Sequence, residues 1–501
     1  MKKIQTILII IQLICSLPLL AQVFPVNRSI LNYRLIGFKI PAEPDVDVYE
    51  FEISRFLITD SGTSHEEVVA TQKAKTPHVV AEVPEFGQTY TWKVAYYYKG
   101  EKKGISETYR FATGYSPYID TNNFRVNVIN NDLNNKDFLI MIDGLRGIFN
   151  SDGQPVWYLP DIPGVINEHM GVRDMKLSPF GTITFLAGDK ACEIDYNGNV
   201  LWQGPNNGAV SGDTTENYHH QLTRLNNGNY MVLGSKTTKR RVPEDLIATV
   251  KNTDAPLEAI ENSTYVNILF GTIIEYDKEG NVIWSWIADD CFSDADIFSL
   301  GNNGKIRTNT HLNAFFLDTV TNHIYTSYRN INRVIKIAYP DGKIEAQYGE
   351  SISQSLPGHG MFWGQHSCRI NKDGQLYLFN NNNRISSNNI DTVSSIVIFD
   401  ELKASGKLIK RWEYYCDIDT LTKHKTVSGG GVVELNTGDF LVCMGEVNRN
   451  FIITRQRKLT WNVLIEKKDD AAGWVPTTNG YRSWPIQSLQ EREMLIYSTE
   501  H

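Results

Sequence analysis

The sequence lacks most of the signatures that would assign it to a common enzyme class. It has no Gly-rich phosphate loop, so nothing in it marks a site for a nucleotide donor. It has no G-x-S-x-G motif to raise a nucleophilic serine. Its six cysteines form no C-x-x-C pair. Cys15 lies in an N-terminal apolar run, and Cys192, Cys291, Cys368, Cys416 and Cys443 are scattered without metal-ligand spacing. An oxidising compartment would permit a disulfide among these five, and their odd number leaves at least one thiol unpaired within the chain. No helical period persists, which predicts an all-β chain. After residue 20 no apolar run is long enough to span a bilayer, so stable membrane insertion is not expected. The formal net charge of −8 argues against a general nucleic-acid role. Carboxylates are plentiful, but no pair is placed distinctively.

The N-terminus has the pattern of an export signal. Lys2 and Lys3 precede a mostly apolar stretch from Ile4 to Leu20, and Ala21 offers a small residue for cleavage before Gln22. Residues 1–21 are therefore expected to be a signal peptide, and the mature protein to be periplasmic. Ile14 before Cys15 is too large for a good lipoprotein site. The 501 residues exceed what one compact domain usually holds, and 24 Tyr with 10 Trp suit β structure.

Residues 22–115 read as one unit. Tyr33 to Ile40, Val48 to Arg55, His78 to Val83 and Thr89 to Tyr98 alternate and are rich in aromatics, as in an immunoglobulin- or fibronectin-like sandwich. Residues 116–501 repeat. Half of the repeat is a strand, a turn ending in Gly and an outer strand ending in Trp, as in Ile148–Trp157, Glu193–Trp202 and Glu275–Trp284. Weaker copies lie at Ile335–Ile344, Val397–Trp412 and Ile453–Trp461. The other half is a hairpin with a Gly or Asn turn, as in Leu177–Leu186, Leu225–Leu233, Phe316–Ser327, Ile370–Phe379 and Leu435–Val442. Phe138 to Asp143 supplies the partner for the first copy. Six copies of roughly four strands predict a six-bladed β-propeller, its closing blade pairing N- and C-terminal strands. Lys236–Thr264 and Asp289–Thr308 read as long polar loops that shape one face.

Of the 11 histidines, three recur at one place in the repeat. His219-His220, His311 and His366 each stand about seven to eight residues before a hairpin turn, at the start of the strand that lines a propeller channel. The others, including His65, His78, His169, His323, His359, His424 and His501, have no patterned context. Arg329 ends the strand that partners the His311 strand, and its planar guanidinium suits a tetrahedral oxyanion. Three imidazoles with an open position are also a zinc arrangement, but Arg329 beside a dication would be costly. No acid neighbours the three histidines to orient a liganding ring. Phe362 and Trp363, just before His366, fit either stacking on an aryl ring or a core role.

With these residues in place, the chain resembles the bacterial aryl-sulfate sulfotransferases. The resemblance rests on His219-His220 followed by Leu225-Asn226-Asn227-Gly228-Asn229, then His311-x-Asn313, Ser327-Tyr328-Arg329-Asn330, Gly364-Gln365-His366, and Ser428-Gly429-Gly430-Gly431. It implies a periplasmic six-bladed propeller behind a β-sandwich. It also implies sulfuryl transfer from a phenolic sulfate ester to a phenol, with no cofactor and no nucleotide. By the resemblance His366 is the nucleophile that becomes sulfated. His220, His311 and Arg329 hold the sulfuryl oxygens, with His219, Asn313, Phe362 and Trp363 toward substrate. A homodimer is common in that family. Gln221 stands where the family often has an acid, and either His219 or His220 faces the channel. A metal-dependent propeller hydrolase or lyase and a non-catalytic ligand-binding propeller are the alternative readings.

Overall fold

The computed structural model describes residues 23–500 except 59–61, 136, 252–255, 299–307, 384–392, 403–405 and 478–479. The expected signal peptide lies outside the described residues. The contacts divide the chain into two compact units, 1–117 with 156–158, and 118–155 with 159–501.

In the first unit a six-stranded sheet runs in the order Ile30–Leu31, Tyr109–Thr113, Thr89–Tyr98, Val48–Ile58, Ser64–Ala74, with Glu101–Ile105 on Thr89–Tyr98. Leu35–Lys39 pairs with His78–Glu82 as a second sheet. Strict alternation buries Tyr49, Phe51 and Ile53. Trp92 of the large sheet joins the two, with its ring centroid 5.3 Å from Phe38 and 6.3 Å from Phe51. Ser64–Ala74 was not legible in the sequence because it is an edge strand, almost wholly exposed, with no apolar alternation to reveal it.

The second unit is a succession of antiparallel sheets in a propeller-like arrangement. The first orders Pro155–Tyr158, Gly147–Asn150, Leu139–Ile142 and, from the far end of the chain, Ser483–Ile486. Three more contain strands in chain order from Val172–Leu177, Leu312–Asp318 and His366–Ile370, and a fourth starts at Leu222–Arg224 and carries Leu257–Ile260 as an added strand on Ser263–Tyr276. The sixth builds from Gly431–Glu434 to Leu459–Asp469, on which Phe124–Asn131 also pairs. The expected pairing of N- and C-terminal strands is thus present. The recurrent tryptophans fasten neighbouring sheets. Trp202 stacks on Tyr230 at 3.7 Å, Trp284 meets Tyr339 at 5.3 Å, and Trp412 meets Phe440 at 5.8 Å. Trp461 of the sixth sheet lies 5.7 Å from Phe138 and donates its indole N–H to the Ser151 carbonyl, which joins the last sheet to the first.

Two expectations need correction. Lys236–Thr264 is not a polar loop. The strand Tyr230–Arg241 runs on into its first six residues and pairs residue by residue with Ser263–Tyr276, as in Lys236 with Phe270 and Arg241 with Tyr265. Thr237, Lys239 and Arg241 face outward, Arg240 lies over the Phe270 ring, and Val266, Ile268 and Phe270 on the returning strand are buried. Within Asp289–Thr308 a short helix, Asp294–Phe298, packs Ile297 and Phe298 into the core, and the remainder from 299 to 307 lies outside the described residues. The all-β reading also missed the helix Leu489–Ile496, which Ser488 and Glu491 cap reciprocally. Cys192, Cys291, Cys368, Cys416 and Cys443 are all free thiols.

Candidate active site

The innermost strands of successive sheets bring the recurrent histidines together. His220 and His311 stand immediately before Leu222–Arg224 and Leu312–Asp318, and His366 opens His366–Ile370. Both His220 (φ 62°) and His311 (φ 58°) are in the left-handed region, as is Ser367 (φ 53°). This conformation, unusual for side chains of this size, breaks the alternation at the strand entrance. The His220 and His311 rings meet edge to face at 4.9 Å.

The protonation pattern follows from the partners. Asn381 is fully buried and donates its amide to the carbonyls of Thr426 and Gly429, both at 3.0 Å. Its Oδ1 is therefore the atom 2.7 Å from His366 Nδ1, and that nitrogen must carry the proton. His366 Nε2 is left with its lone pair. Burial, reinforced by the charges of Arg329 and Arg482, holds the His366 ring far below the usual histidine range. A second relay sets His220. His219 Nε2 lies 3.0 Å from the Gly234 carbonyl, which can only accept, so His219 Nδ1 is the acceptor for His220 Nδ1–H at 2.7 Å. His220 Nε2 therefore also carries a lone pair. The His220 ring lies between those of His219 and His311, at 4.7 and 4.9 Å. His219 has both ring nitrogens engaged, Nε2 at Gly234 and Ser235 and Nδ1 at His220. Burial pushes His219 down to about 4 and His311 down to about 3, the latter helped by Arg329.

Arg329 is steered by two acceptors, Asn330 Oδ1 at 3.1 Å and the Val427 carbonyl at 2.8 Å, and its buried Nε has no partner. His311 has no ring hydrogen bond within the described residues. Asn313 is fully buried and donates to the Gln365 carbonyl at 2.9 Å, which braces the residue before His366, while its buried Oδ1 has no hydrogen-bond partner. Phe362 is a core residue, fully buried among Tyr348, Leu378 and Phe399, and cannot stack on an aryl ring. Trp363 is half-buried, with its backbone tied to Asn380 and Asn383.

Sequence reasoning missed four residues here. Asn381 sits in a run of four asparagines that gives no local hint of which one meets His366. Arg482 is a buried hub. It bonds Asp174 at 2.8 Å, Gln221 at 3.2 Å, the His220 carbonyl at 3.3 Å and the Asn313 carbonyl at 2.7 Å, so it ties four inner strands beneath the histidines. Its position just before Ser483–Ile486 matches that of His220 before its own strand, a signal visible once that strand is counted as part of the first sheet. Asp143, buried and pushed up to about 7 by desolvation, accepts the backbone N–H groups of Asp174, Tyr481 and Arg482. Tyr481 lies 5.7 Å from the His220 ring and 6.5 Å from the His366 ring, and its buried hydroxyl has no partner.

The Ser428–Gly431 run is needed for close approach. Gly430 has φ 104°, and a Cβ there would lie 2.5 Å from the Phe379 ring. Its N–H donates to the Tyr481 carbonyl. A 560 Å³ cavity opens beside Tyr481, with Tyr118, Arg146, Glu168, Arg173 and Glu446 in its wall. Among the described residues of Lys236–Thr264 and Asp289–Thr308, none lines this cavity. No group of three His, Cys, Asp or Glu among the described residues has metal-holding geometry, and no helix among them is long and apolar enough to cross a membrane.

The model of the family described as Arylsulfotransferase (ASST) matches residues 121–427. No curated protein matches the chain. Among solved structures, a protein of unknown function from Bacteroides caccae is 15% identical, with 70% of this chain and 98% of that one covered at a TM-score of 0.41. Virginiamycin B lyase from Staphylococcus aureus is 12% identical, covering 68% and 85% at 0.36. The periplasmic gluconolactonase of Pseudomonas aeruginosa is 9% identical, covering 72% and 99% at 0.36. Likenesses this distant carry no weight on activity.

Proposed function

We propose, from the premise that the chain belongs to the arylsulfotransferase family, that it moves a sulfuryl group from a phenolic sulfate ester to a phenol by a ping-pong route through sulfated His366, without a nucleotide. The observation that carries this reading is the Asn381–His366 hydrogen bond, which leaves a neutral imidazole with its Nε2 lone pair free.

In the first half-reaction His366 Nε2 forms a bond to sulfur as the sulfur–oxygen bond to the aryl group breaks, and the electron pair leaves on the phenolate. The His366 ring gains positive charge, and its Nδ1–H bond to Asn381 strengthens. Arg329 Nε–H and a His311 N–H face the sulfuryl oxygens as preorganised donors. In the second half-reaction His220 Nε2 takes the proton of the acceptor phenol, whose oxygen attacks sulfur and releases His366. The aryl ring lies against Tyr481, whose ring is 5.7 Å from that of His220 and 6.5 Å from that of His366. The six sheets act as blades of a closed six-bladed propeller of residues 116–501, the first unit is an immunoglobulin-like sandwich, and the chain works in the periplasm.

The test is turnover of 4-nitrophenyl sulfate with phenol, without nucleotide and with a chelator present. Phenyl sulfate should form, and initial-rate plots at several acceptor concentrations should be parallel. Intersecting plots, or activity abolished by chelation, would overturn the reading in favour of direct transfer or metal chemistry.

A further inference from the structure

A second cavity, of 630 Å³, lies at the turn ends of the same inner strands. This volume is in the range of small-molecule sites. Its lining includes Lys176, Thr184, Arg224, Phe316, Arg369 and Trp484, and none of the three histidines. The polar groups around it are conspicuously unfinished. Thr184 is fully buried and its hydroxyl has no partner; Arg224 Nε and Nη1 and Arg369 Nε are likewise buried and unpaired. Native interiors rarely leave such groups without a reason, and a ligand is one.

The charges on the wall are not equivalent. Lys176 is paired with Asp174 at 2.6 Å, and Arg224 faces Glu193 at 3.9 Å. Arg369 has no carboxylate within ion-pair distance among the described residues. Its guanidinium instead lies 4.9 Å from the Trp484 ring and 5.8 Å from Phe316. Glu491, the carboxylate of the wall, is occupied by the N–H groups of Gln487 and Ser488 at the helix cap. A cation without a counter-ion, flanked by two aromatic faces and two sets of orphaned donors, matches a flat ring bearing one oxyanion.

We propose that this cavity is a second ligand site, separate from the histidine cluster, for an aromatic anion of the sulfonate, sulfate-ester or carboxylate type. Arg369 holds the oxyanion, with Thr184 and Arg224 as further donors, and Trp484 and Phe316 flank the ring.

The test uses 2-naphthalenesulfonate, whose carbon–sulfur bond withholds it from sulfuryl transfer, in calorimetric titrations of the full chain. One class of site should survive Arg329→Ala and weaken about 10- to 100-fold in Arg369→Gln, the loss expected for a charge-assisted anchor. Asn226→Trp, on an exposed turn at the rim, should block that class without touching the buried groups, and serves if Arg369→Gln does not fold. Binding that is lost with Arg329→Ala alone, binding unchanged in both cavity variants, or no saturable binding would each overturn the proposal.

Discussion

Replacing Asn381 with leucine separates what holds the site together from what drives its chemistry. The substitution keeps the volume but deletes one acceptor and two donations in a fully buried place. The orphaned His366 N–H and the Thr426 and Gly429 carbonyls should together cost about 3–9 kcal/mol of stability, at about 1–3 kcal/mol for each group left unsatisfied. The rate effect is smaller and distinct. A neutral hydrogen bond is worth about 1 kcal/mol net, and roughly twice that once the ring is charged. The increment of about 1 kcal/mol is felt only as the N–S bond forms, which is a loss of about 5-fold in the sulfation step. Stopped-flow release of nitrophenolate in the absence of acceptor reads that step, on protein shown to be folded by circular dichroism. Asn381→Asp keeps an oxygen for Nδ1–H while setting a second oxygen against two carbonyls, so it should lose stability yet retain most of the burst rate. A folded Asn381→Leu protein with an unchanged burst would refute the claim that Asn381 sets the His366 tautomer.

Further outcomes follow from the same geometry. His219→Phe should slow acceptor turnover about tenfold, the size of one neutral orienting hydrogen bond, and leave the burst intact, because His220 serves the second step; equal loss in both steps would contradict that division. The His219 ring titrates at about 4 in the folded chain against about 6.5 unfolded, so the unfolded state binds more protons in that interval. Its contribution, roughly 3 kcal/mol, is fully present above pH 6.5 and lost as pH falls toward 4; His220, His311 and His366 are lowered in the same sense, so denaturant melts at stepped pH should show the summed slope and His219→Gln should reduce it by one ring's share. Trp461→Ala, which removes the fastening between the sixth and first sheets, should cost about 3–5 kcal/mol in a denaturant melt; a loss under 1 kcal/mol would mean the contact carries little of the closure.

The hairpins were legible because turn chemistry is local. Leu225-Asn226-Asn227-Gly228 and Asn371-Lys372-Asp373-Gly374 announce their turns in four residues, and outer-strand tryptophans mark five of the six repeats. The recurrence of His220, His311 and His366 ahead of such turns likewise needs no long-range information. What failed was whatever depends on distant partners. Asp143 binds Tyr481 and Arg482, more than 300 residues away along the chain. Lys236–Arg241 looks like a loop because its buried counterpart, Val266 to Phe270, lies on another strand. Phe362 and Trp363 look alike beside His366, yet packing buries the first completely and leaves the second half-buried.

The most direct measurement is the intact mass of protein mixed briefly with 4-nitrophenyl sulfate and no acceptor, beside His366→Asn. The account expects a gain of one SO3, labile to acid, discharged by added phenol and absent from the variant. Nitrophenolate released with phenol present, but no adduct at any time, or an adduct that persists in His366→Asn, would contradict it.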